Sequence, residues 1–251
     1  MSDGYIISPG KYVTAQVGLP RVFYDKRWVY PHMRSTFARL KTDLCLDIPD
    51  LRGIPRYRSL GNFLPIAITN YSNKHFRIRE EDTIAVADHE RLVAEPNATE
   101  MTLHFGNQHL VLVEEKLPQL PGTELRYIDP HAENLWEHTC LVEFQRLFAQ
   151  RNECHVVTTQ EHIEIPEGMI GIFDDEIARQ HGLKHSTAIF AYPYKTPGKR
   201  VIALEFRTTQ SFIFEPGMAA MTLRLYRADF YRNGDRPRYE TQDTIVPNGR
   251  K

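Results

Sequence analysis

The stretch RVIALEFRTTQSFIFEPGMAAMTLRLY (200–226) decides the fold. Apolar runs of strand length alternate in it with two turn signals, TTQS and EPGM. Phe212, Phe214, Met221, Leu223 and Leu225 recur so as to point one way, the period-two pattern of a half-buried strand. The same grammar continues outward through CHVVTTQEHIEI (154–165), LHFGNQHLVLVE (103–114), FLPIAITNY (63–71) and YIISPGKYVTAQV (5–17). Sixteen prolines and fourteen glycines separate these runs, which argues for many short strands.

One stretch reads as helix. Leu135, Trp136, Leu141, Phe144, Leu147 and Phe148 are spaced by about three and four residues, which predicts a helix over 134–151. DDEIARQHGL (174–183) adds a single short helical turn before Gly182. The predicted class is all-β: a distorted jelly roll or barrel-like arrangement with one inserted helix near 134–151.

A comparison of the chain with itself finds one order of features twice. In both halves a strand is followed by an X-Pro turn, an "xAR" turn, a strand, a hairpin turn (NYSNKHF or RTTQSF), a strand and a tight EED or EPG turn. The chain therefore reads as two diverged copies of one β unit, 1–95 and 96–251.

Composition narrows the function classes. With 251 residues, 41% hydrophobic and 25% charged, the chain has the make-up of a globular protein. The net charge of −1 gives no global basic field for nucleic acid. Local clusters, Arg21/Lys26/Arg27/Arg34 and Arg224/Arg227/Arg232/Arg236/Arg238, are either solvated charge or anion sites. Cys45, Cys140 and Cys154 show no CxxC spacing and read as ordinary thiols. His162, His181 and His185 lack metal-ligand spacing and read as surface histidines. No window approaches a membrane span and MSDGYIISPGKY lacks the pattern of a signal peptide, so a cytoplasmic protein without membrane partners is expected.

HIEIPEGMIGIF (162–173), IARQHGL (177–183), TAIFAYPY (187–194) and the opening stretch together resemble the core of the dCTP deaminase/dUTPase superfamily. TLHFGNQHLVL (102–112) is similar to that superfamily's early "DLRLGN" strand. Tyr231, Arg238 and Gln242 fall at the spacing of the Tyr, Lys and Gln of the deaminase tail that folds over the triphosphate. In the first half, HMRSTFARL (32–40) resembles "GRSSxARL", and NYSNKHFRIREEDTIA (70–85) resembles the hairpin before the dUTPase "GDRIAQ" strand. The resemblance covers about 150 residues, 100–250, and rests on order and spacing together.

The resemblance implies a deoxynucleoside triphosphate as ligand and hydrolytic deamination at C4 of cytosine, dCTP giving dUTP and, in a further step, dUMP and diphosphate. It implies no zinc, in keeping with the missing H-x-E…P-C-x-x-C signature, and Mg²⁺ carried by the nucleotide phosphates. Glu205 matches the general acid/base, and an apolar setting between Leu204 and Phe206 would raise its pKa. From residue types alone, Glu205 on the solvent face of a strand is the simpler reading. Arg179 matches the arginine that orients water and carboxylate, and Thr187-Ala188 the base-reading segment. Asp174-Asp175-Glu176 stand where the superfamily has Arg-Ser-Ser, and free acids there would repel a triphosphate. Arg34, Ser35 and Arg39 of the first half offer the missing donors, Ser35 as the water-binding member. Such sites are assembled between neighbouring subunits, so a homo-oligomer, a trimer among the options, is implied. RSTFAR also reads as a capped turn with Arg39 paired to an acid.

Two other functions fit. A dUTP diphosphatase would carry a "GxIDxxYRG" motif, whose place is taken by AIFAYPYKTPGKR (188–200). A non-catalytic nucleotide- or protein-binding relative would explain the lost Arg-Ser-Ser and the longer loop at 192–199.

Overall fold

The computed structural model describes residues 4–18, 29–33, 44–46, 63–71, 73–79, 85–89, 99–112, 117–129, 139–186, 190–191 and 198–227. Packing divides the chain into two compact units: 1–90 with 114–135 and 186–188, and 91–113 with 136–185 and 189–251. No helix among the described residues is long and apolar enough to cross a membrane.

The first unit holds β1 (Tyr5–Ile7), β2 (Tyr12–Gly18), β3 (Val29–Met33), β4 (Leu44–Leu46), β5 (Phe63–Asn70), β6 (His75–Ile78), β7 (Ala85–His89) and β9 (Tyr127–Ile128). They form three small sheets, ordered β1-β6-β9, β2-β5-β4 and β3-β7. The Pro9-Gly10 turn closes as read from sequence, with Gly10 at φ +67° and Lys11 N–H donating to Ser8 O. Asn70 is fully buried, and its side-chain amide donates to Ile7 O and Lys74 O, both at 2.8 Å. That amide turns the chain from β5 into β6, which belong to different sheets. NYSNKHF is thus a sheet-to-sheet crossing rather than a paired hairpin. Buried Asp129 accepts a 2.7 Å hydrogen bond from Arg79, with Arg77 at 3.6 Å.

The second unit is built on β8 (Thr99–Leu112). Around it stand β10 (Thr139–Glu143), β11 (Leu147–Ala149), β12 (Cys154–Thr159), β13 (Met169–Asp174), α1 (Glu176–Gln180), β14 (Leu183–His185), β15 (Phe190–Ala191), β16 (Ala203–Thr208), β17 (Phe212–Phe214) and β18 (Ala219–Arg227). An eight-stranded antiparallel sheet runs β14-β16-β12-β8-β18-β13-β15, with β10 also on β8. A ribbon of β11 and β17 lies apart from it. RTTQSF, like NYSNKHF, passes the chain from one sheet to another, since β16 and β17 do not pair.

One core gathers Leu103, Phe105, Val157, Leu204, Phe206, Met221, Leu223 and Leu225 from one face of the sheet, with Phe214 of the ribbon and Ala178 of α1. Phe105 meets Phe206 and Phe214 edge-on, at centroid distances of 5.6 and 5.1 Å. On the other face Leu110 and Val156 make a smaller cluster with Leu141, Val201 and Ala203. All six residues of β12 are buried, so the middle of the sheet is covered on both faces.

The helix predicted over 134–151 is not there: the described residues 139–151 form β10 and β11. Thr139 to Glu143 pair with Leu112 to Gln108, and Leu147 to Ala149 with Phe214 to Phe212. The three-and-four spacing came from merging two strands across Phe144-Gln145-Arg146. Thr139, Cys140 and Val142 favour extended backbone, and pairing to β8 and β17 overrides a stripe without a single helix face to bury. Phe148, which a helix would bury, is exposed between partly buried Leu147 and buried Ala149. The short turn at 174–183 is helical, and Gly182 at φ +74° ends it as a left-handed cap.

Candidate functional site

Glu205 sits in the middle of β16, with Val156 of β12 opposite it. Leu204 and Phe206 enter the main core, so the period of two turns Glu205 to the other face. That face is covered here, and Glu205 is only 3% exposed. The solvent-face reading fails because β12 and β16 are interior strands of a sheet buried on both sides. A carboxyl buried this deeply costs folding energy, and such groups concentrate at functional sites.

Beside it lies His185, the last residue of β14, which pairs with Phe206. His185 Nε2 is 3.9 Å from Glu205 Oε2, and both side chains are 4% exposed. Its ring packs against Phe173 and Phe206, with centroids 5.8 and 5.4 Å away. Burial lowers the imidazole pKa from 6.5 to about 4, so the ring is neutral at physiological pH. The contact is therefore not an ion pair, and 3.9 Å is too long for a hydrogen bond. Nε2 is buried and has no hydrogen-bond partner among the described residues. His185 is thus not the surface histidine expected. Its spacing of two from Leu183, itself buried, was the available signal. His181, by contrast, is exposed.

Arg179 lies in the last turn of α1, with Ala178 beside it wholly buried. Its side chain is 52% exposed, and its Nε pairs with Asp175 Oδ1 at 2.8 Å, with Nη2 4.0 Å from Asp174. Glu205 is not among its partners. Asp175 precedes α1 without capping it by side chain. Its second oxygen accepts the backbone N–H of His185 at 3.3 Å. Asp174 meets Arg224 at 3.1 Å, and Arg224 in turn holds Glu100 at 2.6 Å. The acids at 174 and 175, expected to repel a triphosphate, are each matched by a guanidinium.

Ser35, Arg34, Arg39, Thr187, Ala188, Tyr231, Arg238 and Gln242 lie outside the described residues. Among the described residues, no group of three His, Cys, Asp or Glu side chains is placed to hold a metal ion.

No protein-family model matches the sequence, and no curated protein matches it. The structure is similar to the crystal structure of the 2′-deoxycytidine 5′-triphosphate deaminase of Agrobacterium tumefaciens, with a TM-score of 0.61 at 14% identity. The match covers 90% of this chain and 78% of that one. The chain therefore has the all-β, dUTPase-like fold expected from its motifs.

Proposed function

We propose that the chain binds dCTP and hydrolyses its 4-amino group, giving dUTP and ammonia. The observation that carries this reading is Glu205, an acid buried on an interior strand of a deaminase-like fold where the motif resemblance expects a proton carrier. In this reaction water adds at C4. Glu205 takes the first water proton and passes it to the ring nitrogen, then takes the second from the C4 hydroxyl and delivers it to the amino group, which leaves as ammonia while the C4 carbonyl forms. A positioned acid/base of this kind contributes about 10² to 10⁴ in rate. The dUTP so formed is a candidate for onward cleavage to dUMP and diphosphate.

Arg34, Ser35 and Arg39 are the proposed phosphate and water donors. Thr187-Ala188 read the base, and Tyr231, Arg238 and Gln242 close over the triphosphate. Arg179 is assigned to orienting water and carboxylate. Mg²⁺ enters with the phosphates, zinc plays no part, and the working form is a cytoplasmic oligomer. The test is incubation with dCTP and Mg²⁺ while following uracil nucleotide and ammonia. Wild type should release both and Glu205→Gln should not; equal release by the two proteins would refute the assignment.

A second reading, a non-catalytic nucleotide- or protein-binding relative, is favoured by one observation. Asp175 holds Arg179 at 2.8 Å, where the resemblance expects phosphate donors beside a free arginine. Saturable dCTP binding without turnover would select it.

A further inference from the structure

His185 is a polar side chain placed where an apolar one would pack better. A leucine or phenylalanine would fill the space between Phe173 and Phe206 without stranding a ring nitrogen. An unsatisfied buried nitrogen costs about 1–3 kcal/mol, and such groups call for an explanation. Nε2 stands 3.9 Å from the Glu205 carboxyl.

We infer that His185 is the positioning residue of Glu205: with its proton on Nε2, the ring closes onto the carboxyl and fixes its orientation when ligand enters. The inference rests on the reading of Glu205 as the proton carrier. Closure needs a movement of about 1 Å to reach an ordinary N–H···O distance. No proton is transferred to or from His185, which stays neutral and donates a hydrogen bond only. Its low pKa supports this, since an imidazolium here would make a buried ion pair and hold Glu205 ionised.

The surroundings suit a fixed donor. Phe173 on β13 and Phe206 on β16 flank the ring. Asp175, ahead of α1, accepts the His185 backbone N–H and so ties the end of β14 in place. Among the described residues, Glu205 on β16 lies beside the His185 ring and Asp175 accepts its backbone N–H.

Long-range ¹H–¹⁵N spectra of the histidine rings of the full chain saturated with dCTP test this without requiring turnover. His185→Gln assigns the signals. The expected result is a neutral His185 ring protonated on Nε2 down to about pH 5, whose ¹⁵N shifts move in Glu205→Gln while those of exposed His181 do not. Identical His185 shifts with and without the Glu205 carboxylate would overturn the inference, as would titration near the ordinary histidine value. If wild type turns over dCTP, His185→Leu should lower kcat by about tenfold to a hundredfold, with KM changed less than about twofold. His185→Gln, which keeps a donor, should recover part of the loss. An unchanged kcat and pH profile in His185→Leu would also overturn it. A wild type that does not deaminate dCTP defeats the proposed reaction alone, and the ring spectra still decide whether His185 and Glu205 are coupled.

Discussion

Asp175 bridges Arg179 and the backbone of His185, with one carboxylate oxygen on each. This one carboxylate thus joins α1 to β14, the strand that carries His185 toward Glu205. The Arg179 end of this bridge is half exposed, and exposed ion pairs contribute between 0 and about 1 kcal/mol. Arg179→Ala should therefore shift stability by less than about 1 kcal/mol in urea unfolding. A loss of more than about 2 kcal/mol would show that the pair holds the fold. With stability kept, any collapse of deamination in this variant reports on chemistry rather than folding.

Acid sensitivity should carry the mark of His185. Its folded-state pKa, about 4, lies below its unfolded value of 6.5. The unfolded chain takes up a proton before the folded one, so stability is full above pH 6.5 and is lost as pH falls toward 4. The whole effect is roughly 3 kcal/mol. Urea unfolding of wild type at pH 7.0, 5.5 and 4.5 should show this decline, and His185→Leu should lose most of it. Parallel curves for the two proteins would mean that the imidazole is not buried in solution.

Glu161 should act in a separate, lower window. Burial raises its carboxyl pKa, but hydrogen bonds from the backbone N–H and ring of His104 outweigh that and hold it below 4.5. His104 N–H donates to one oxygen at 2.9 Å, and Nδ1 meets the other at 2.6 Å. A lowered carboxylate stabilises the fold above its unfolded value and stops doing so as pH falls through the folded one. Glu161→Gln should flatten the stability profile below pH 4.5 and leave the region above pH 5 unchanged in slope. A change confined to the higher window would contradict the assignment.

How far the sequence carried these conclusions varied with the physics involved. Alternation in 211–226 was enough to place Phe214, Met221, Leu223 and Leu225 in the core, because each faces one core. Spacing failed at 139–151, where local periodicity mixed residues of two strands that bury toward different partners. Glu205 was singled out through the motif resemblance alone. Alternation says which face a side chain takes, not whether another layer covers that face. His185 was missed for the same reason, since its burial comes from Phe173 and Phe206, neither of them its neighbour in sequence.

Gly106, in the HFGN run that resembles the superfamily's early strand, should tolerate no side chain. A Cβ there would lie 2.5 Å from Thr158 Oγ1 and 2.7 Å from Thr159 O. The register of β8 against β12 shifts at this point, between Val157 and Thr159. The close approach involves backbone, so a rotamer change cannot relieve it. Gly106→Ala should lower stability by about 1–3 kcal/mol, read from the urea midpoint. A neutral result would mean that the two strands separate freely at the shift.

The proposed division of labour between the two halves makes the most exacting demand. Asp174 and Asp175 are occupied by Arg224 and Arg179, so this corner of the second unit offers a triphosphate little free positive charge. If Arg34 and Ser35 supply the phosphate and water donors, each substitution should have its own kinetic signature. Arg34→Ala removes a charge-assisted contact worth about 1.5–3 kcal/mol. It should raise KM for dCTP by roughly tenfold to a hundredfold. Ser35→Ala removes a water ligand and should lower kcat with KM little changed. Glu205→Gln should lower kcat without weakening dCTP binding, since the carboxylate acts on the base. If Arg34→Ala and Ser35→Ala both deaminate dCTP as fast as wild type, the first half contributes nothing to the site, and the phosphates must be held by the second half alone.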